Sequence, residues 1–244
     1  MSSDRPASHA SVQTYARIAG VLFLISVVAG GFGEIFVPSK LIVSADATAT
    51  ANNVIASKSL FRMGFASYLV EAMCDVALTF ILYVLLRPVR KDLALLAAFF
   101  RLVSTAVFAV AELFYFAASL ILGGADYLKT FSPEQLHSLA LLSLKLYGYG
   151  AGIFMVFYGV PSILLGYLIF QSGYLPKFLG VLLALGGLGF VTRNFALVLA
   201  PAYASSFLLL PMTLAVLSLT AWLLVRGVDV AKWEEKAATV EVTA

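Results

Sequence analysis

Charged residues are scarce in this chain. Of its 244 residues, 12% are Asp, Glu, Lys or Arg, whereas a soluble globular domain contains about 25%. Apolar residues make up 61%, and a soluble fold of this size could not cover so much apolar surface with so few charges. The formal net charge of +3 gives no support to nucleic-acid binding. The composition therefore indicates a protein whose main partner is a lipid bilayer.

Cysteine and histidine are scarcer still. Cys74 is the single cysteine, so an internal disulfide is excluded. His9 and His137 are too few for a haem pair or a histidine-rich metal site. The chain has no G-x-S-x-G or H-E-x-x-H motif, and the glycines of residues 148–152 lack the strand and lysine of a phosphate-binding loop. We therefore expect no metal and no cofactor, and an enzyme is the least favoured class.

Long apolar runs are abundant. A helix needs about 20 apolar residues to cross the hydrocarbon core, and six stretches qualify: residues 15–37, 65–86, 93–122, 146–170, 177–199 and 206–225. Backbone groups in lipid must bond within their own segment, and these runs lack the alternation of a β-barrel. The first run is longer than the roughly 7–15 apolar residues of a signal peptide, so we expect it to be retained. The sequence predicts an all-α polytopic membrane protein with about six transmembrane helices in a bundle.

The distribution of Lys and Arg predicts the orientation. With the N-terminus inside, nine of the 16 Lys and Arg residues lie in inner segments, five lie in outer segments, and Arg101 and Arg193 lie within spans. Both termini are therefore expected in the cytoplasm, and we expect a multi-pass protein of the cell inner (plasma) membrane. We expect residues 1–14 to be a disordered N-terminus, residues 15–226 the transmembrane domain and residues 227–244 a cytoplasmic tail.

Two outer connections are predicted to contain surface helices. Residues 132–135 form a capping box with Pro133 at the first helical position. An Ala-rich stretch after Asp46 predicts a similar helix before the second span. An outer helix, a span, a short inner turn and a second span thus occur twice. An internal duplication and two unrelated hairpins both remain open.

Several ionisable or hydroxylated side chains lie within the spans or at their outer ends. The candidate site residues are Tyr68, Glu71, Asp75, Arg101, Glu112, Tyr115, Lys145 and Arg193. A charge at bilayer depth costs at least about 2.5–3.5 kcal/mol, so such residues normally face other helices and have a partner or a role. Glu34 and Lys145 are expected nearer the outer rim, and Lys145 with Tyr147 and Tyr149 is interpreted as an interfacial anchor.

The depth of these residues predicts which of them meet. Glu71, Glu112 and Arg193 each lie about 9–15 Å below the outer end of their spans. Asp75 lies near the middle, and the long side chain of Arg101 reaches toward it from the inner side. We therefore predict an Asp75–Arg101 pair and an outer cluster of Glu71, Glu112 and Arg193.

Three functions are compatible with this arrangement. The leading hypothesis is a membrane protein that binds or moves a small molecule, a lipid or a proton through the polar interior. The second is a non-catalytic scaffold or stress-related accessory protein whose charges only hold helices together. The third is an intramembrane enzyme. The sequence does not decide the oligomeric state.

Several motifs, in order along the chain, resemble those of the bacterial DUF4386 membrane proteins. They are Leu60–Phe65, Cys74–Leu78, Leu82–Val89, Leu93–Leu102 and Gly166–Lys177. The likeness covers residues from about Ala16 to Leu224, and Asp75 and Arg101 fall inside its motifs. The resemblance implies the same membrane class and topology. It implies no mechanism, because the family is named for its unknown function.

Overall fold

A computed structural model describes residues 9–243, and side chains within residues 12–239. The expectation of disorder at residues 1–8 lies outside the described part. The α-helices are α1 (His9–Gly30), α2 (Val37–Leu41), α3 (Ala47–Ala56), α4 (Lys58–Leu86), α5 (Lys91–Ile121), α6 (Pro133–Ser172), α7 (Lys177–Leu199), α8 (Leu210–Val225) and α9 (Val230–Thr243). A π-helix covers Gly31–Phe36, and short 3-10 helices cover Asp126–Leu128, Pro201–Tyr203 and Ser206–Leu209.

Six helical segments are long and apolar enough to cross a membrane. They are Val12–Leu41, Lys58–Leu86, Lys91–Ile121, Pro133–Ser172, Lys177–Leu199 and Ser206–Val225. No strand occurs in residues 9–243. The predicted all-α polytopic class with six spans is therefore confirmed.

The first span is longer than the sequence pattern predicts. Helix α1 begins at His9, so residues 9–14, which were expected to be disordered, are helical. At its other end the helix continues through the π-helix into α2 and ends at Leu41 rather than near Val37. The Val37 N–H donates to the Phe32 carbonyl, the i to i−5 bond of a π-turn. Pro38 does not end the run because it occupies the first turn of α2.

Both predicted outer helices form, but the second is not separate. Helix α3 is capped by Asp46, whose carboxylate accepts from Ala49 N–H at 2.8 Å. At the start of α6 the capping box is reciprocal: Ser132 N–H donates to Gln135 Oε1 at 2.8 Å, and Gln135 N–H donates to Ser132 Oγ at 3.3 Å. Helix α6 then runs without a break for 40 residues, or about 60 Å. No turn-forming sequence follows its amphipathic start, so surface helix and span are one helix.

The described chain forms two compact units, and helices α4, α5 and α6 contribute to both. Unit 1 comprises residues 9–24, 74–104 and 155–243. Its apolar core includes Leu78, Leu85, Leu168 and Leu223. Glycines bring α6 close to α7: a Cβ added at Gly166 would lie 2.5 Å from the Gly180 carbonyl oxygen. Gly166 of α6 and Gly180 of α7 therefore serve close helix packing, as small residues do in membranes.

Unit 2 comprises residues 25–73 and 105–154. Its core is more aromatic than that of unit 1 and centres on Phe61, Tyr68, Phe108 and Tyr115. The rings of Phe61 and Tyr115 are stacked with their centroids 4.2 Å apart. This aromatic core is where polar side chains from four segments of the chain meet.

The expected C-terminal tail contains helix α9, which is docked on unit 1 through buried Trp233. Asp229 caps its start, accepting from Lys232 N–H at 3.3 Å. This backbone hydrogen bond is the main cause that holds the pKa of the Asp229 carboxyl below its usual value. The segment is thus an ordered part of unit 1.

Candidate functional site

Three acids and three tyrosines meet inside unit 2. Glu34 comes from the π-helix, Tyr68 and Glu71 from α4, Glu112 and Tyr115 from α5, and Tyr147 from α6. We call these six residues the glutamate–tyrosine cluster. Each of α4 and α5 presents its two members at helical spacing, so that both point to one face.

The three tyrosines of the cluster contact one another directly. The ring centroids of Tyr68 and Tyr115 are 5.2 Å apart, those of Tyr68 and Tyr147 5.8 Å, and those of Tyr115 and Tyr147 5.5 Å. The Tyr68 hydroxyl donates to the Gly33 carbonyl at 2.6 Å. This bond ties α4 to the π-helix that carries Glu34. The three tyrosine rings are thus packed against one another.

Glu112 is the most deeply buried acid of the cluster. The residue is 2% exposed. Its electrostatic neighbours are the carboxylates of Glu34 and Glu71 and the Tyr147 side chain. Tyr147 lies outside good hydrogen-bond geometry, and neither carboxylate oxygen of Glu112 has such a bond within the described part of the chain. A buried acid normally has a partner, because an unpaired buried charge is costly.

Glu71 and Glu34 flank Glu112 from two other helices. Glu71 is half-buried, and its carboxylate packs so closely on the end of α1 that a Cβ added at Gly30 would lie 3.1 Å from its Oε2. Glu34 is exposed as a residue, and its carboxyl group is close enough to Glu112 to interact with it electrostatically. Three carboxyl groups are thus placed around one point, where mutual repulsion opposes the ionisation of all three.

The lysines and arginines of unit 2 are all exposed, whereas Glu112 is buried and Glu71 is half-buried. These exposed residues are Lys40, Lys58, Arg62, Lys129 and Lys145. No group of three or more His, Cys, Asp and Glu side chains within the described residues is arranged to hold a metal ion. The cluster is therefore rich in acids, and the lysines and arginines of its own unit lie at the surface.

The Asp75–Arg101 pair lies in unit 1. Arg101 Nη2 forms an ion pair with Asp75 Oδ1, and both residues are buried. The guanidinium also lies 4.9 Å from the centroid of the Tyr158 ring and 5.9 Å from that of Phe23, in cation–π range. Thr79 Oγ1 donates to the Asp75 carbonyl at 2.8 Å. The expected pairing of these two residues forms, with its charge neutralised and its surroundings aromatic.

The predicted outer cluster is brought together in part. Glu71 and Glu112 meet in unit 2, whereas Arg193 belongs to unit 1, where its Nη1 donates to Asn194 Oδ1 at 3.4 Å. The Arg193 Nε is buried and has no hydrogen-bond partner within the described residues. An association of Arg193 with the two glutamates stays a prediction. Lys145 is exposed, and none of the contacts that define the glutamate–tyrosine cluster involves it.

Sequence reasoning missed two members of the cluster. Glu34 was expected near the rim, but the span continues to Leu41, which puts Glu34 seven residues, or about 10 Å, from its end. Tyr147 was interpreted only as an interfacial anchor, which stays a prediction, and its contacts with Tyr68 and Tyr115 were not foreseen. In the sequence, a glutamate within the glycine-rich run of residues 30–34 was the available signal.

The fold and the buried polar groups define a polytopic α-helical membrane protein. The chain belongs to the DUF4386 family, described as a domain of unknown function, which matches residues 18–227. An uncharacterized protein of Archaeoglobus fulgidus is 32% identical over 118 residues, which are 48% of this chain and 56% of the archaeal protein. The chain therefore spans about half the length of this relative. No solved structure is significantly similar to the chain.

Proposed function

We propose that this membrane protein binds a small positively charged ligand, a proton or an organic cation, at the glutamate–tyrosine cluster. The observation that carries the proposal is Glu112, a buried acid whose oxygens lack well-formed hydrogen bonds within the described residues and which faces two further acids. A bound cation would offset the repulsion among the three carboxylates.

The proposal assigns different roles to the two sets of intramembrane charges. The Asp75–Arg101 pair has its opposite charges already matched, and we propose that it fixes helix register without binding a ligand. The glutamate–tyrosine cluster instead brings three acids together, and Glu112 is the one to which we assign the ligand. Arg193, if it joins Glu71 and Glu112 as predicted, would still leave the acids of the cluster in excess.

The experiment uses the purified full-length protein in lipid nanodiscs, with tetraethylammonium as the organic cation. We expect tetraethylammonium to raise the thermal unfolding temperature of the wild type and Glu112→Gln to weaken its binding at least tenfold. Binding should weaken as the pH falls, since protons compete with the cation for Glu34, Glu71 and Glu112. The other titratable groups that face the ligand are Tyr68, Tyr115 and Tyr147. Release of protons on cation addition, followed with a pH dye, measures the competition directly.

The matched control is Glu235→Gln, which makes the same chemical change at an exposed position of α9. Glu112→Asp keeps the charge and is expected to retain part of the binding, which separates loss of charge from loss of folding. The proposal fails if folded Glu112→Gln and wild type respond identically to tetraethylammonium and to pH. The cluster would then be a structural network, as in the scaffold hypothesis.

A further inference from the structure

One member of the glutamate–tyrosine cluster reaches the protein surface. Glu34 is exposed as a residue, while its carboxylate interacts electrostatically with buried Glu112 and with Tyr147. The Glu34 side chain therefore leads from the surface of unit 2 to the acid at the centre of the cluster. It marks the place where a ligand would first meet a negative charge.

The surface around Glu34 is apolar and open. Ile35 is 71% exposed and Phe36 47% exposed. A Cβ added at Gly31 would meet no atom within 4 Å. All four residues lie inside Val12–Leu41, a segment long and apolar enough to cross a membrane. An exposed apolar surface on such a segment is expected to face the bilayer.

Helix α6 has the same character beside Tyr147. A Cβ added at Gly148 also meets no atom within 4 Å, and Tyr149 is 70% exposed. Tyr147 interacts electrostatically with Glu34. Gly148 and Gly31 therefore each lie next in the chain, or nearly so, to one of two neighbouring members of the cluster. Small residues next to the acids leave room that larger side chains would fill.

We infer that the ligand of the cluster is an amphiphilic cation, such as an alkylammonium, which enters laterally from the bilayer. Its charged head would bind between Glu34 and Glu112, and its apolar tail would lie against Ile35 and Phe36. The acids favour a ligand with a positively charged head, and the exposed apolar surface of Ile35 and Phe36 favours a ligand with an apolar tail. The inference rests on the proposed function, since it names the class of cation that the cluster takes.

The test uses a series of alkyltrimethylammonium salts with butyl, hexyl and octyl tails, and the full-length protein in nanodiscs. If the cation enters from the bilayer, each added methylene is transferred from water into lipid. The Kd, calculated from the concentration of free cation in water, should then fall about fourfold for each methylene. Binding to empty nanodiscs is subtracted, and octyl sulfonate, which has the same tail and the opposite charge, should not bind. Glu34→Gln should weaken octyltrimethylammonium binding at least tenfold, and Glu235→Gln should not change it.

A second variant tests the opening itself. Gly31→Leu fills the open surface beside Glu34 and should abolish the dependence of Kd on tail length, whereas Gly31→Ala should retain most of it. If all tails bind equally and binding still needs Glu112, the site opens to water, and the lateral route is wrong while the proposed function stands. If no cation of any tail length binds the folded wild type, both the proposed function and this inference are wrong.

Discussion

Tyr174 and Trp233 donate hydrogen bonds to the same backbone oxygen. The Tyr174 hydroxyl lies 2.7 Å from the Leu85 carbonyl oxygen, and the Trp233 indole Nε1 lies 2.9 Å from it. Leu85 is in the last turn of α4, where carbonyls have no intrahelical partner. One orphan carbonyl thus joins the turn before α7, the end of α4 and helix α9.

Removal of either donor should destabilise the protein. Tyr174→Phe deletes one hydrogen bond at nearly constant shape, which we expect to cost about 1 kcal/mol of unfolding free energy. Trp233→Phe also leaves a cavity and should cost more. The double variant should cost more than the sum, because only it leaves the buried Leu85 carbonyl without a side-chain donor. Denaturant titration in mixed micelles measures the costs, with Tyr203→Phe, an exposed phenol, as the control. Strict additivity would contradict the shared role of Leu85.

High pH should loosen the docking of α9. Burial raises the pKa of the Tyr174 phenol above its usual value. A raised pKa contributes stability that is complete below the unfolded value, about 10, and is lost as the pH rises through the folded value. In a Trp222→Phe background, fluorescence of Trp233 should therefore change at high pH. Tyr174→Phe should flatten that change.

Breaking the Asp75–Arg101 pair should cost far more than breaking an exposed pair. Asp75→Asn or Arg101→Met leaves an unmatched charge in the interior, which we expect to cost about 3–5 kcal/mol. The double variant should recover more than half of that loss. Asp126→Asn breaks the exposed Asp126–Lys129 pair and should have little effect. Equal effects of the buried and exposed replacements on unfolding would contradict a buried ion pair.

Two glycines on α6 should respond in opposite directions. Gly166→Ala forces a methyl to 2.5 Å from the Gly180 carbonyl oxygen, so we expect a loss of about 1–3 kcal/mol. Gly148→Ala meets no atom within 4 Å and should be neutral or stabilising, since alanine favours a helix. Unfolding titrations of the two variants compare them directly. Close α6–α7 packing is contradicted if Gly166→Ala is as stable as the wild type.

The predicted association of Glu112 with Arg193 can be measured by a double-mutant cycle. If the two side chains meet, Glu112→Gln and Arg193→Gln should show a coupling above about 0.5 kcal/mol in unfolding free energy. The same cycle with Glu235→Gln in place of Glu112→Gln should show none. Additive effects of Glu112→Gln and Arg193→Gln would mean that Arg193 does not neutralise the cluster.

Depth along uninterrupted helices was predictable from the sequence. Asp75 lies 11 residues before the end of α4 and Arg101 lies 10 residues after the start of α5. A short turn joins these helices, so both residues are about 15–17 Å from it. Equal depth on neighbouring antiparallel helices places the two side chains together. The composition predicted the class for an equally simple reason, since so apolar a chain needs lipid around it.

Helix ends and helix irregularities were not predictable. Composition gives no sign that the first span continues through Pro38 to Leu41 or that α6 begins outside its apolar stretch. Because Glu34 was expected near the rim and Tyr147 as an anchor, both were left out of the predicted cluster. The sequence also contains no signal for the unit to which Arg193 belongs, because helix packing rather than periodicity decides it.

The π-turn makes the cluster sensitive to chain length as well as to side-chain chemistry. A π-turn is an α-helix with one extra residue, so its loss would rotate everything beyond it by about 100°. Deletion of Gly31 would turn Glu34 away from Glu112 without altering a single acid. The helical register of the first span is therefore a second determinant of the site, independent of its charges. A chain that kept all three glutamates and lost the π-turn would lose the site.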